Sequence, residues 1–137
     1  MCPQIFVMKN RKSQAGFSLL ELMIVLFIIV ILATIALPQY QKTIQHARET
    51  VLRDDLHQIR RMIDQYAADK GKLPKSLDDL VAAGYIKEVP IDPMTDKPDW
   101  ELVMGEDTAS AKGEQGLVDV KSSSSEESLD GVEYNKF

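Results

Sequence analysis

Residues 17–41 read FSLLELMIVLFIIVILATIALPQYQ and form the stretch that decides the fold. The 21 residues from 17 to 37 contain a single charged side chain, that of Glu21. An α-helix rises about 1.5 Å per residue, so this segment reaches about 31 Å, the thickness of a bilayer's hydrocarbon core. The sequence therefore predicts a transmembrane helix over residues 17–37.

A removed secretory signal is the alternative interpretation of this run. The apolar region of such a signal covers about 7 to 15 residues and ends at a small-residue cleavage site. The run here is longer, and ATIALPQ at residues 33–39 matches such a site only weakly. The sequence therefore favours a retained helix.

The charges on the two sides of the apolar run differ. Residues 1–16 contain Lys9, Arg11 and Lys12 and no acidic residue. From residue 17 onward, 13 basic and 21 acidic residues give a net charge of −8, against −5 for the whole chain. Because basic flanks stay on the cytoplasmic side of a membrane, the acidic remainder is predicted to be exported. Its acidity also argues against nucleic acid as a partner.

Cys2 is the single cysteine, and it precedes the apolar run. The exported part therefore forms no internal disulfide, and another device has to stabilise a small domain. The sequence leaves open whether translation starts at Met1 or at Met8, and no other prediction depends on that choice.

Apolar residues continue at spacings of three and four beyond residue 38, which predicts that the helix extends to about Lys70 and ends at Gly71. The charged residues of this stretch, Glu49 and Arg60 among them, are expected to form a solvated face. The positions expected to face inward are Tyr40, Ile44, Ala47, Val51, Leu52, Leu56, Ile59, Met62, Ile63, Tyr66 and Ala67.

Pro38 lies inside this predicted helix. It cannot donate a hydrogen bond to the carbonyl of Thr34, and its ring crowds the preceding turn. One interpretation is a bend or weak point that matters for packing, and the other is a kink at the membrane boundary without a further role.

The region after the long helix predicts irregular structure around one short helix. LPKSLDDLVAAGYIKEVP at residues 73–90 indicates a helix that Ser76 caps together with Asp79 and that Gly84 ends. VPIDPMTDKPD at residues 89–99 indicates an irregular loop, in which the prolines restrict the unfolded chain.

The C-terminal part predicts a small sheet. WELVM at residues 100–104 and GLVDVK at residues 116–121 alternate like two strands. Tyr134 and Phe137 are expected to hold the final segment to the domain, since free ends otherwise fray. The predicted fold class is α+β, with a long N-terminal helix packed on a small antiparallel sheet.

The sequence contains no recognisable catalytic set, so an enzyme is not expected. His46 and His57 are eleven residues apart, about 16 Å along a helix, which is too far for them to share a metal ion. The exported part has neither a cysteine nucleophile nor a glycine-rich phosphate loop.

Glu21 is the unfavourable residue of the apolar run. A charged side chain within a bilayer costs roughly 2.5–3.5 kcal/mol, and such residues usually have a partner. One interpretation is that Glu21 reaches back to interfacial water. If residues 1–16 are removed, the new amino group of Phe17 lies one helical turn away and offers a cationic partner.

The stretch KSQAGFSLLELMIVLFIIVILATIALPQY at residues 12–40 resembles the type IV prepilin signature. Gly16, Phe17, Glu21 and Pro38 match that signature position by position. The resemblance implies that a prepilin peptidase cuts between Gly16 and Phe17 and methylates the amino group of Phe17. It also implies that the helices then assemble subunits into a filament, with Glu21 and Pro38 taking part.

The later sequence is similar to that of the major pseudopilin, or G-type subunit, of type II secretion systems. Leu73-Pro74 and PIDP at residues 90–93 carry this similarity. It implies a structural subunit of a pseudopilus that drives protein export across the outer membrane. The alternatives are a type IV pilus subunit for adhesion, motility or electron transfer, and an anchored domain that never polymerises.

The resemblance implies three segments: a cleaved leader over residues 1–16, a membrane and filament-core helix over residues 17–37, and a periplasmic globular domain over residues 38–137. The implied partners are other copies of this chain, minor pseudopilins, the prepilin peptidase, an inner-membrane assembly platform and the membrane. The implied location is the inner membrane, followed by a periplasmic filament.

Major pseudopilins often hold their final loop with calcium, and the corresponding stretch here is KSSSSEESLDG at residues 121–131. Glu126, Glu127 and Asp130 are its candidate ligands. Calcium usually takes six to eight oxygen atoms, so no cofactor is expected and calcium is the open alternative.

Overall fold

The structure is a computed structural model that describes residues 2–3, 15–108 and 110–137. Most of the predicted leader, residues 4–14, lies outside the described residues. The elements in chain order are α1 (Leu19–Lys70), α2 (Leu77–Ala82), β1 (Glu101–Glu106), β2 (Gln115–Lys121) and a final 3-10 turn η1 (Tyr134–Lys136). This is the predicted α+β class.

The chain divides into two compact units, Met1–Pro38 and Gln39–Phe137. The first unit contains the apolar part of α1, whose large side chains are exposed. Within the described residues, α1 is the one helix that is long and apolar enough to cross a membrane.

The second unit builds its core on the later part of α1. The buried residues of this part recur every three or four positions and therefore share one helix face. They are Leu52, Leu56, Ile59, Ile63 and Tyr66. The rest of the core consists of Leu77, Leu80, Trp100, Leu117, Val120 and Tyr134.

The inward face of α1 was predicted wrongly at its start. Four positions expected in the core are exposed: Tyr40, Ile44, Ala47 and Val51. At this level the inward face carries Glu49, with the half-buried Gln45 one turn earlier. The prediction failed because apolar residues spaced by three and four occur here on two different faces of one helix.

Helix α2 begins differently from the prediction. Ser76 occupies the N-cap position with extended backbone, but its side chain makes no capping hydrogen bond. The backbone N–H of Lys75 donates instead to the carboxylate of Asp79, at 2.8 Å. Gly71 and Gly84 follow α1 and α2 with φ of 68° and 82°, the left-handed conformation predicted for them.

Strands β1 and β2 form a two-stranded antiparallel sheet. The register shifts between Val103 and Met104, which pair with Asp119 and Leu117, so Val118 is the extra residue of a bulge in β2. Trp100 lies just before β1 rather than within it, and its indole N–H donates to the carbonyl of Pro90 at 2.7 Å.

Strand β2 lies very close to the segment that follows α1. The N–H of Leu117 donates to the carbonyl of Pro74 at 2.7 Å. A Cβ atom added at Gly116 would lie 2.4 Å from the Cβ of Leu73, a separation that atoms do not tolerate. Position 116 therefore requires glycine, because β2 lies too close to Leu73 to leave room for a side chain.

We expect Gly116→Ala to lower the free energy of unfolding by about 1–3 kcal/mol, because the added methyl group overpacks a fixed contact. Denaturant unfolding of residues 39–137 measures this change. Gly105→Ala is the matched control: its methyl group would meet Val118 at 3.0 Å, and Val118 is 40% exposed and free to adjust. Equal losses in both variants would contradict the proposed contact.

Candidate functional site

Helix α1 begins with a capped first turn. The hydroxyl of Ser18 accepts a hydrogen bond from the N–H of Glu21 at 3.1 Å, and its carbonyl accepts one from Leu22 at 3.1 Å. The spacing of Ser18 and Glu21 is that of a capping box. Glu21 thus lies where the positive end of the helix dipole favours a carboxylate by about 0.3–1 kcal/mol. The Ser-x-x-Glu spacing of Ser18 and Glu21 indicates this capping role, which was not predicted from the sequence.

The predicted cleavage point lies just before α1. Gly16 and Phe17 have no regular secondary structure, and Phe17 is 85% exposed. No atom lies within 4 Å of the place a Cβ would take at Gly16. An accessible backbone outside a helix is what a peptidase needs. Cleavage between these residues stays a prediction.

Pro38 lies inside α1, which continues to Lys70. The two compact units divide directly after it. One turn earlier, the hydroxyl of Thr34 donates to the carbonyl of Ile31 at 2.6 Å. Both interpretations of Pro38 stay predictions.

Two of the three candidate calcium ligands in the final loop contact other protein groups. The carboxylate of Asp130 lies 3.6 Å from the guanidinium of Arg53, and the carbonyl of Glu126 accepts the N–H of Tyr134 at 3.0 Å. In the part of the chain that the structure describes, no three His, Cys, Asp or Glu side chains are grouped to hold a metal ion. Calcium binding by Glu126, Glu127 and Asp130 stays a prediction.

Glu49 corrects the prediction of a solvated charged face, because only 2% of this residue is exposed. Its Oε1 accepts hydrogen bonds from the N–H of Leu129 at 2.9 Å, the hydroxyl of Tyr134 at 2.9 Å and the amide of Gln45 at 3.3 Å. Two of these donors, Leu129 and Tyr134, lie 80 and 85 residues further along the chain, so periodicity cannot reveal them. Glu49 joins α1 to the C-terminal segment.

Arg60 makes a second connection between α1 and the C-terminal segment, with its side chain 37% exposed. Its Nε donates to Asp119 at 2.6 Å, and its terminal nitrogen donates to the carbonyls of Phe137 at 2.8 Å and Val120 at 3.2 Å. The guanidinium of Arg53 lies 4.7 Å from the centre of the Phe137 ring, a cation–π contact. The prediction that Tyr134 and Phe137 hold the tail is confirmed.

Asp92 organises the proline-rich loop and was not singled out in the sequence. It is fully buried, and its carboxylate accepts the N–H of Met94 at 2.8 Å and the hydroxyl of Ser122 at 2.5 Å. Its own N–H donates to the carbonyl of Lys97 at 3.0 Å. The aspartate of the PIDP stretch therefore connects this loop to the end of β2.

A family profile for the prokaryotic N-terminal methylation motif matches residues 11–37. Type II secretion system core protein G of Pseudomonas aeruginosa is 31% identical over 100 residues, 61% of this chain and 70% of that protein. Competence protein ComGC of Halalkalibacterium halodurans is 38% identical over 79 residues, 58% of this chain and 78% of that protein. Type IV major fimbrial protein FimA of Dichelobacter nodosus is 45% identical over 59 residues, 43% of this chain and 38% of that protein. No solved structure matches significantly.

A methylation motif at the start of a long apolar helix, followed by a small antiparallel sheet, defines a type IV pilin-like protein. Within that class, the chain belongs to the type II secretion system core protein G family. The family is structural. The methylation motif begins before α1 and covers Gly16, Phe17 and Glu21.

We expect Glu49→Gln to lower the free energy of unfolding of residues 39–137 by about 1.5–3 kcal/mol, because a charge-assisted acceptor is lost. Denaturant unfolding at neutral pH measures the difference. Asp54→Asn removes an exposed carboxylate from the same helix and should change stability little. A similar small effect of both variants would show that the buried bonds do not stabilise the fold.

Alkaline pH should destabilise the same unit through Tyr134. Burial raises the pKa of Tyr134 above 10.0, while smaller contributions come from the Gln45 amide, which lowers it, and the Glu49 carboxylate, which raises it. Because the pKa is higher in the folded state, this stabilisation is complete below about pH 10 and is lost as pH rises through the folded-state pKa.

Unfolding free energies measured over a series of alkaline pH values test this dependence. Tyr134→Phe should reduce the alkaline loss, whereas Tyr40→Phe should leave it unchanged because Tyr40 is 66% exposed. A pH dependence that is the same in all three proteins would assign the alkaline loss to other groups.

Proposed function

We propose that this protein is the structural subunit of a type II secretion pseudopilus, polymerised through its N-terminal helix to drive protein export across the outer membrane. One observation carries the proposal: an accessible Gly16–Phe17 bond leads directly into a helix whose large apolar side chains are exposed. Burying apolar surface contributes roughly 25 cal/mol per Å². Packing of this segment against the same segments of neighbouring subunits would therefore stabilise a filament.

Processing prepares the segment for assembly. A prepilin peptidase cuts between Gly16 and Phe17, and the new amino group of Phe17 is methylated. In the filament core, Glu21 accepts a charge-assisted hydrogen bond from the amino terminus of Phe17 in an adjoining subunit, since an unpaired carboxylate there is costly. Pro38 bends or weakens α1 where the apolar segment ends, which helps the helices pack.

The partners are other copies of the chain, minor pseudopilins, the prepilin peptidase and an inner-membrane assembly platform. The subunit spans the inner membrane once, with the globular domain in the periplasm, before it enters a periplasmic filament. It has no catalytic role and needs neither a cofactor nor nucleic acid. Acidity of the exported part and the basic residues before the helix support this orientation.

A type IV pilus subunit is the second candidate, and the similarity to FimA supports it. That similarity covers 43% of this chain, compared with 61% for core protein G of Pseudomonas aeruginosa. The wider match favours secretion.

Glu21→Leu tests the proposal. We expect normal insertion and cleavage, with an intact mass that starts at methylated Phe17, but few or no filaments because the charge pair is lost. Leucine raises the hydrophobicity of the segment, so bulk burial alone would predict better assembly. Normal filaments from Glu21→Leu would therefore refute the pairing role.

Ser18→Ala separates pairing from helix capping. It removes the bond that the N–H of Glu21 donates to Ser18 but keeps the carboxylate. We expect filaments from this variant, because capping contributes only about 1 kcal/mol. Failure of both variants would assign the effect to the helix start.

A further inference from the structure

The turn at residues 128–132, called the C-terminal turn here, exposes two apolar side chains. Leu129 and Val132 are 44% and 43% exposed, and neither belongs to the core. The turn is fixed by its own backbone: the N–H of Ser128 donates to the carbonyl of Val132 at 2.8 Å, and the N–H of Gly131 donates to the carbonyl of Ser128 at 2.9 Å. Because turns favour small and polar residues, the fold itself gives no reason for the two apolar ones.

The buried carboxylate of Glu49 holds the C-terminal turn against α1. It accepts the N–H of Leu129 at 2.9 Å. Leu129 then lines a cleft together with the first residues of α1 that follow Pro38. These residues are Gln39, Lys42, Thr43 and His46.

The residues of α1 that line this cleft come directly after the apolar segment. Lys42 is five residues past Leu37, and five residues of helix span about 8 Å. The headgroup region adds about 5–8 Å to each side of a bilayer's hydrocarbon core. When residues 17–37 span a bilayer, Gln39 and Lys42 therefore lie at the level of the lipid headgroups.

The side chains near the cleft suit a headgroup environment. Tyr40 is 66% exposed, and tyrosine is enriched where a membrane helix meets water. Lys42 can lay its methylene groups along apolar surface while its ammonium group meets lipid phosphates. The acid within the turn, Asp130, lies 3.6 Å from the guanidinium of Arg53, which reduces its repulsion from those phosphates.

The size of the apolar patch favours lipid over a protein as its partner. A stable protein interface buries about 800 Å² on each side, far more than two side chains of one turn supply. Shallow insertion into a bilayer needs only apolar side chains at the boundary between headgroups and acyl chains.

We propose that the C-terminal turn inserts Leu129 and Val132 into the headgroup boundary of the bilayer that residues 17–37 span. The contact holds the globular unit on the membrane in one orientation before assembly, and Glu49 is the positioning residue that keeps the turn in place. The inference rests on the membrane-spanning part of the proposed function and does not depend on polymerisation.

Fluorescence quenching in vesicles tests the contact with the full chain. A nitrobenzoxadiazole probe is attached at Leu129→Cys in a Cys2→Ser background, which removes the single native cysteine. The chain is diluted in phosphatidylcholine vesicles that contain lipid with a nitroxide high on the acyl chain. Ile28→Cys, within the apolar segment, carries the same probe and reports insertion.

Val118→Cys is the matched control, because Val118 is 40% exposed and the probe's own affinity for lipid is the same there. Val118 precedes Asp119, whose carboxylate accepts a hydrogen bond from Arg60. Arg60 is 18 residues past Lys42, about 27 Å along α1. We expect quenching at Leu129→Cys to be about threefold stronger than at Val118→Cys, or more.

A carboxylate placed in the turn provides a second measurement. With the probe at Val132→Cys, Leu129→Asp should reduce quenching about twofold or more, because a charge opposes insertion. Leu102→Asp is its control, since Leu102 is 40% exposed on β1, and it should leave quenching unchanged. Thermal unfolding in detergent checks that both variants keep the fold.

Equal quenching at Leu129→Cys and Val118→Cys, with strong quenching at Ile28→Cys, would overturn the inference and leave the proposed function intact. Protection of the Leu129→Cys probe that disappears on dilution of the chain would also overturn it, since the turn would then contact protein. Without quenching at Ile28→Cys, the apolar segment is not in the bilayer, and the proposed function fails together with the inference. Failure of the processed chain to form filaments would refute the proposed function alone.

Discussion

One helix has to present two apolar faces in this protein, and the rest of the domain depends on keeping them apart. The face with Leu52, Leu56 and Ile59 is covered by the chain's own small sheet and loops. The face with Tyr40 and Val51 is left open.

Buried carboxylates stabilise the irregular segments of a domain that has no cysteine in its described residues 39–137. Glu49 accepts the backbone N–H of Leu129, Asp92 accepts that of Met94, and Asp107 accepts that of Leu73 at 2.9 Å. Small domains gain little from their cores alone and often use disulfides or metals. Charge-assisted bonds to loop amides fill that role here, and they explain why acids of this chain are found inside as well as on its surface.

The sequence predicted elements better than it predicted faces. The long helix, the short helix and both strands were found close to their predicted ranges, because periodicity and glycine positions depend on local rules. The start of the inward face and the long-range hydrogen bonds of Glu49 and Arg60 were not predicted. Both depend on where the C-terminal segment returns, as in the bond from Gln45 to Tyr134 across 89 residues, and no local pattern contains that contact.

The bulge in β2, opposite Val103 and Met104 of β1, has a consequence for aggregation. A two-stranded sheet has unpaired edges, and a crowded polymer would bring such edges close enough to add strands in register. β1 carries exposed glutamates at both ends, Glu101 and Glu106, and its regular pairing is interrupted between Val103 and Met104. Repulsion and irregular backbone both oppose strand addition, so the sheet resists amyloid-like stacking while the helix remains free to polymerise.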